Sequence, residues 1–409
     1  MSSRTTRARS TSAGPDGQRT ASPRPRFPLF DSLRAIAALS IFGFHIAASQ
    51  HALNDPDFPW LGQLNVGVPI FFVVSGFLLY RPFVARRMQE RPPPSSVGYA
   101  IRRALRIIPA YWVALTVITV WLGLQSQVFT VDGVVTYYGF LQVYDVSTID
   151  GGIGQAWTLG VEVTFYAFLP LWAWAMRRRL GELWPLVALA AFGIVWKIVV
   201  LTTVFQSGDK NAFTWLVILP AWMETFAAGM ALAVLSVWRT DRGYHPRWLQ
   251  VVEDRPWLPW LVALLAFVAA GPHGWQGGEE SQVMIQYELK TIVAAGLVMP
   301  AVFGDPARGW VRRVLAFPPL LWVGLVSYGF FLWHLAVIDK LQDGGVDDTL
   351  GVPLFTLIAL VASLGIAALS WYVIERPSLR LARRLTGPTA QTRTLADDRA
   401  AVAAEARPS

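Results

Sequence analysis

The chain of 409 residues contains no cysteine, which excludes disulfides, thiolate metal sites and a thiol nucleophile. Charge is also scarce: Asp, Glu, Lys and Arg make up 15% of the residues, against about a quarter in soluble domains. There are five histidines. His51, His245 and His273 fall in loops, without the spacing of a metal site, so no metal is expected. An internal repeat of the inverted kind common in transporters is also missing. Apolar residues, by contrast, are in excess. They account for 54% of the chain, with 13% aromatic, and they come in blocks of about twenty, the length a helix needs to cross a bilayer.

These blocks predict an all-α polytopic membrane protein of about ten transmembrane helices. They lie at roughly 30–50, 64–84, 104–124, 156–176, 183–204, 213–236, 257–271, 283–303, 320–340 and 352–374. The seventh is short. Residues 1–28 are rich in Arg, Ser, Thr and Pro and read as a disordered basic tail. Residues 29–377 form the membrane domain, and 378–409 are expected to be a second disordered tail.

The basic residues sort by loop. Thirty Lys and Arg fall in the tails and alternate loops on one side, and the loops on the other side hold only Lys210. The positive-inside rule then places both termini in the cytoplasm, with an even number of spans in the cell (inner or plasma) membrane. This distribution accounts for the net charge of +8 without nucleic acid as a partner. The first block could be read as a cleavable signal peptide ending in Ala47, Ala48 and Ser49. Arg34 and His45 within it argue against that.

Ionisable side chains at bilayer depth cost about 2.5–3.5 kcal/mol each on insertion scales and are functional candidates by default. Arg34 and His45 are eleven residues apart. That spacing is three turns plus about 20°, which puts both on one helix face about 16 Å apart. His45, Glu162 and His334 fall about 6–7 Å to the outer side of their span centres. Lys197, Glu288 and Lys290 share that outer half, which suggests a polar cavity at that level. Glu224 is expected to pair with Lys197 or to line the cavity. At the cytoplasmic end of the third span, Arg103 and Arg106 are helix neighbours, and two guanidinium forks side by side suit phosphate oxygens. Ser75 and Gly76 read as packing residues, and Glu375 and Arg376 as an interfacial ion pair.

Five motifs occur in order on these spans: Asp31, Arg34 and His45; GVPIFFVVSGF with Ser75 and Gly76; Arg103 and Arg106 followed by Pro109 and Tyr111; Trp157, Glu162 and Tyr166; and Ser327, Tyr328 and His334. From about Phe30 to Pro377 the chain resembles acyltransferase family 3, polytopic enzymes that O-acylate envelope sugars and, in actinomycetes, some macrolides. The resemblance implies transfer of an acyl group, expected to be acetyl, from cytoplasmic acyl-CoA to a hydroxyl. The acceptor would be an envelope polysaccharide, a lipid-linked sugar or a macrolide, and no tightly bound cofactor is implied. His45 and Glu162 would be catalytic. Arg34, Arg103, Arg106, Ser75, Trp157, Tyr166, Ser327, Tyr328 and His334 would bind substrate. In the mechanism that fits, CoA phosphates rest on the arginines and neutral His45 acts as general base, oriented by Glu162 or His334. A covalent acyl-histidine relay fits the same residues. The competing class is a transporter or flippase for a glycan or small metabolite, which a polar core in ten helices would also suit.

Overall fold

The computed structural model describes residues 27–387 apart from Asn54, Pro56, Pro59, Lys210, Asn211 and 272–279. The expected tail residues 1–26 and 388–409, and His273, lie outside the described residues. No strand occurs among the described residues. The main helices are α1 (Phe30–Ser49), α2 (Gly67–Met88), α3 (Ser96–Trp121), α4 (Trp157–Ala175), α5 (Trp184–Val199), α6 (Met223–Arg242), α7 (Trp257–Ala269), α8 (Glu280–Val302), α9 (Pro318–Asp343) and α10 (Val346–Ser370).

A helix stands at each apolar block, and eight helical stretches among the described residues are long and apolar enough to cross a bilayer. The two helices outside that set are instructive. α7 has 13 residues, about 20 Å, short of the roughly 30 Å hydrocarbon core. α4 has 19 residues, but Thr158, Glu162, Thr164 and Tyr166 dilute its apolar content. In α10, Gly351 sits at φ 74° and breaks the helix, so its apolar run begins where the sequence pattern starts it.

One expectation is corrected. Residues 378–386 are not a disordered tail, because α11 (Arg376–Thr386) is helical and packs on α3. Ala382 is its buried contact and Leu379, one turn earlier, is half-buried. A two-residue apolar stripe among four arginines is too thin to stand out in composition.

Packing places α2 at the centre, flanked by α1, α4, α6 and α8. Close approach of α2 to α6 depends on two glycines. A Cβ on Gly76 would run into the Phe226 carbonyl, and one on Gly229 into the Val73 carbonyl. Small residues at helix crossings are how membrane helices bring backbones together without a hydrophobic driving force. α1 and α9 are held in the same way, with Gly324 making room for the Asp31 backbone, and buried Ser32 donates to the Leu315 carbonyl at 2.5 Å. Large apolar side chains such as Leu171, Val187 and Val361 are more than 60% exposed on the outer faces, as a lipid-facing rim requires.

Besides a small group at Val200, Leu201 and Leu216, two apolar clusters form inside. The larger spreads over α2, α3, α4 and α6; the smaller joins α1, α9 and α10. The polar residues singled out above lie on the helices where these clusters meet.

Candidate active site

His45 Nδ1 and His334 Nε2 are 2.8 Å apart. α1 and α9 pack along their length, which brings residues 289 positions apart into one pair. On the far side of its ring, His334 Nδ1 lies 3.0 Å from the Phe330 carbonyl and 2.9 Å from that of Phe331. Carbonyl oxygens only accept, so the hydrogen of neutral His334 sits on Nδ1 and its Nε2 is bare. His45 Nδ1 must then donate to it, which leaves the lone pair of His45 on Nε2. His334 is fully buried, whereas His45 is partly exposed. The tautomer of the accessible imidazole is thus set by backbone carbonyls two hydrogen bonds away.

Gln155 supports that anchor. Its side-chain amide, 5% exposed, donates to the Phe331 and Leu332 carbonyls at 2.8 and 3.2 Å. This ties the entry of α4 to α9 one turn below His334. Around the imidazoles stand aromatic rings: Phe330 stacks on His334 at 5.7 Å, Phe42 lies 6.2 Å away, and Phe44 meets His45 edge-on at 5.5 Å.

Of the two groups expected to orient His45, His334 is the one at hydrogen-bond distance from it. Glu162 instead accepts from Ser75 Oγ at 2.6 Å. Ser75 is therefore a polar contact between α2 and α4, while its neighbour Gly76 makes the packing contact. Glu162 also interacts with Tyr166, one turn along α4.

Toward the other end, Arg34 from α1 and Arg103 from α3 are the electrostatic neighbours of Arg106, together with Tyr166 and Glu162. The Arg103 guanidinium lies over the Tyr166 ring at 5.6 Å. Glu375, 5% exposed, completes this group by facing Arg106 and Arg34. It is turned inward by the π-helical turn Trp371–Glu375 and fits because Gly329 has no side chain where its carboxylate lies. Three guanidinium groups against two carboxylates leave one positive charge in excess. Two buried atoms here have no hydrogen-bond partner among the described residues: Arg103 Nε and the hydroxyl of Tyr99, one turn earlier on α3. Such orphans are rare unless an absent ligand, ion or water satisfies them.

Tyr328 donates to the Ile107 carbonyl at 2.9 Å, fixing α9 against α3 beside the arginines. Ser327 is 0% exposed and its hydroxyl is also without a partner. It lies seven residues before His334, on the same face of α9. Trp157 lies 6.2 Å from Trp222, which packs in turn on Phe72 and Tyr287. Sequence reasoning missed Tyr99, Gln155 and the inward role of Glu375. Only Tyr99 had a signal, its one-turn spacing from Arg103.

The outer-half charges divide differently from the single layer the sequence suggested. Lys197 pairs with Glu224 at 2.8 Å and Glu288 at 2.5 Å, joining α5, α6 and α8, with Thr225 beside Glu224 at 3.3 Å. These bonds close on one another and do not reach the imidazoles. No group of His, Asp or Glu among the described residues could hold a metal ion.

Residues 28–372 match the acyltransferase domain model. The chain belongs to this acyltransferase family. It is 28% identical over 407 residues to nodulation protein 10 of Rhizobium leguminosarum bv. viciae, covering 91% of this chain and 99% of that one. It is 28% identical over 327 residues to the exopolysaccharide production protein ExoZ of Rhizobium meliloti, covering 78% and 92%. The peptidoglycan O-acetyltransferase OatA of Listeria monocytogenes is 24% identical over 382 residues, which is 87% of this chain but 56% of that longer protein. No solved structure matches. The protein is therefore a multi-pass membrane enzyme that transfers acyl groups.

Proposed function

We propose that this enzyme moves an acetyl group from cytoplasmic acyl-CoA to a hydroxyl of a sugar-containing acceptor, an envelope polysaccharide, a lipid-linked sugar or a macrolide. The observation that carries the reading is the His45–His334 pair at 2.8 Å, anchored on two backbone carbonyls. It leaves the accessible ring with a lone pair on Nε2, as a general base needs.

The donor end is supported by the arginine group. Its excess positive charge and its two orphaned donors, Arg103 Nε and Tyr99 OH, suit the phosphates of CoA. With the nucleotide held there and both termini in the cytoplasm, the pantetheine arm follows α1 from Arg34 toward His45, about 16 Å. Ser75, Glu162, Tyr166, Ser327 and Tyr328 line its way, and Trp157 borders the acceptor side.

In the reaction, His45 Nε2 takes the proton of the acceptor hydroxyl as its oxygen attacks the thioester carbonyl. The tetrahedral intermediate collapses, the carbon–sulfur bond breaks, and the thiolate leaves with the proton returned from His45. The hydrogen bond from Nδ1 to His334 holds the ring in place and disperses the positive charge it gains. Glu162 acts at a distance, through Ser75 and Tyr166. Purified protein supplied with labelled acetyl-CoA and acceptor-containing membranes tests this reading: CoA release and membrane-bound label should both depend on His45. Label transfer that persists in His45→Ala, or its absence from the wild-type protein, overturns it.

A further inference from the structure

We infer that Phe71 sets the length of acyl chain the enzyme accepts, an inference that rests on the donor reading above. Phe71 is the partly buried residue that packs against both interior clusters. It therefore sits on the boundary between them, where the polar residues of the site run.

Three helix registers fix its level. On α2, Phe71 lies one turn from Ser75 on the same face, so it is directly above the Ser75–Glu162 hydrogen bond of 2.6 Å. Its ring lies 6.4 Å from that of Phe331, edge-on. Phe331 is three residues before His334 on α9, and its carbonyl is one of the two that hold the His334 proton. Phe71 thus occupies the step between the polar contacts of α2 and α4 below and the imidazole pair above. A thioester that comes from the arginine end to meet the hydroxyl held at His45 Nε2 must bring its sulfur and acyl carbons past this ring.

The surrounding rings differ in how far they can yield. Phe42, Phe330 and Phe331 are 0–7% exposed and close the space behind the imidazoles. Phe71, like His45, Ser75 and Glu162, is partly exposed although its helix is surrounded by four others. It is the apolar wall that borders accessible space at the thioester level. A two-carbon acyl group fits beside a phenyl ring at that point. A four-carbon group needs the volume the ring fills.

The test is a competition. Membranes carrying wild-type, Phe71→Leu or Phe71→Ala protein receive equimolar acetyl-CoA and butyryl-CoA, and ester-linked acetate and butyrate are released by mild alkali and quantified. Each methylene in an apolar pocket changes discrimination by about 10–200-fold. The butyrate-to-acetate ratio should therefore rise at least about tenfold in Phe71→Ala and by less in Phe71→Leu. If Phe71→Ala loses all activity, the shift must still appear in Phe71→Leu. An unchanged ratio in both variants, with the wild-type protein active, overturns the role of Phe71 and leaves the donor reading standing. A wild-type protein that transfers neither acyl group removes the donor reading itself.

Discussion

The imidazole of His334 accepts a hydrogen bond from His45 at 2.8 Å while its own N–H is held by the carbonyls of Phe330 and Phe331. Helix carbonyls normally accept from the backbone one turn on, and here they also set a tautomer. Removing His334 should leave His45 present but free to rotate and to adopt either tautomer. His334→Ala is expected to lower acyl transfer by about 10²–10⁴-fold, with His45→Ala abolishing it. CoA release by membranes containing equal amounts of each variant checks this. A His334→Ala enzyme with wild-type turnover would show that the pair has no catalytic part.

The orphaned hydroxyl of Tyr99 gives a second expectation. A hydrogen bond to a charged group contributes about 1.5–3 kcal/mol, so Tyr99→Phe should raise the KM for acetyl-CoA about tenfold or more while kcat changes little. Arg103→Ala should do the same more strongly. Steady-state kinetics with the acceptor held saturating separates the two constants. A change confined to the acceptor KM would contradict the assignment.

Lys197 is 0% exposed and bridges two carboxylates on two other helices. Breaking a buried pair by removing one partner costs about 3–5 kcal/mol because the other charge is stranded. Lys197→Met should therefore lower the melting temperature of the detergent-solubilised protein markedly. Lys197→Met combined with Glu224→Leu and Glu288→Gln should recover much of the loss. Equal destabilisation by the single and triple variants would mean that packing, not charge, holds these helices.

The glycine contact between α2 and α6 should be equally intolerant. Gly229→Leu places a side chain where the Val73 carbonyl lies and is expected to destabilise the protein by about 1–3 kcal/mol or more. Exposed Gly208, with nothing near its absent Cβ, serves as the control for substitution as such. Its φ of 72° makes Asn the appropriate replacement. Thermal melting of both variants decides the matter.

Much of this architecture was legible in the chain because a bilayer imposes a length and a polarity on every helix. Each apolar block became a helix, and Arg34, His45, Arg103 and Arg106 stood out because charges in such blocks are costly. The same rule failed where its signal is weak. α11 shows only Leu379 and Ala382 as an apolar stripe. Glu375 looked like an interfacial charge because a π-helical turn, which no local pattern announced, rotates it inward.

What the sequence determined by itself was the helical class, the membrane setting and the identity of the costly side chains, all of which follow from one-dimensional spacing and transfer energy. Which of those side chains meet was decided only by the tertiary packing. His45 could have been oriented by Glu162 or by His334. The close α1–α9 contact gave it His334, and the α2–α4 contact gave Glu162 to Ser75. Lys197 and Glu288 read as sharing the outer half with the imidazoles, but they belong to other helices and pair with each other. Hydrogen bonds and ion pairs act over about 3 Å, and helix register alone cannot say which faces approach that closely.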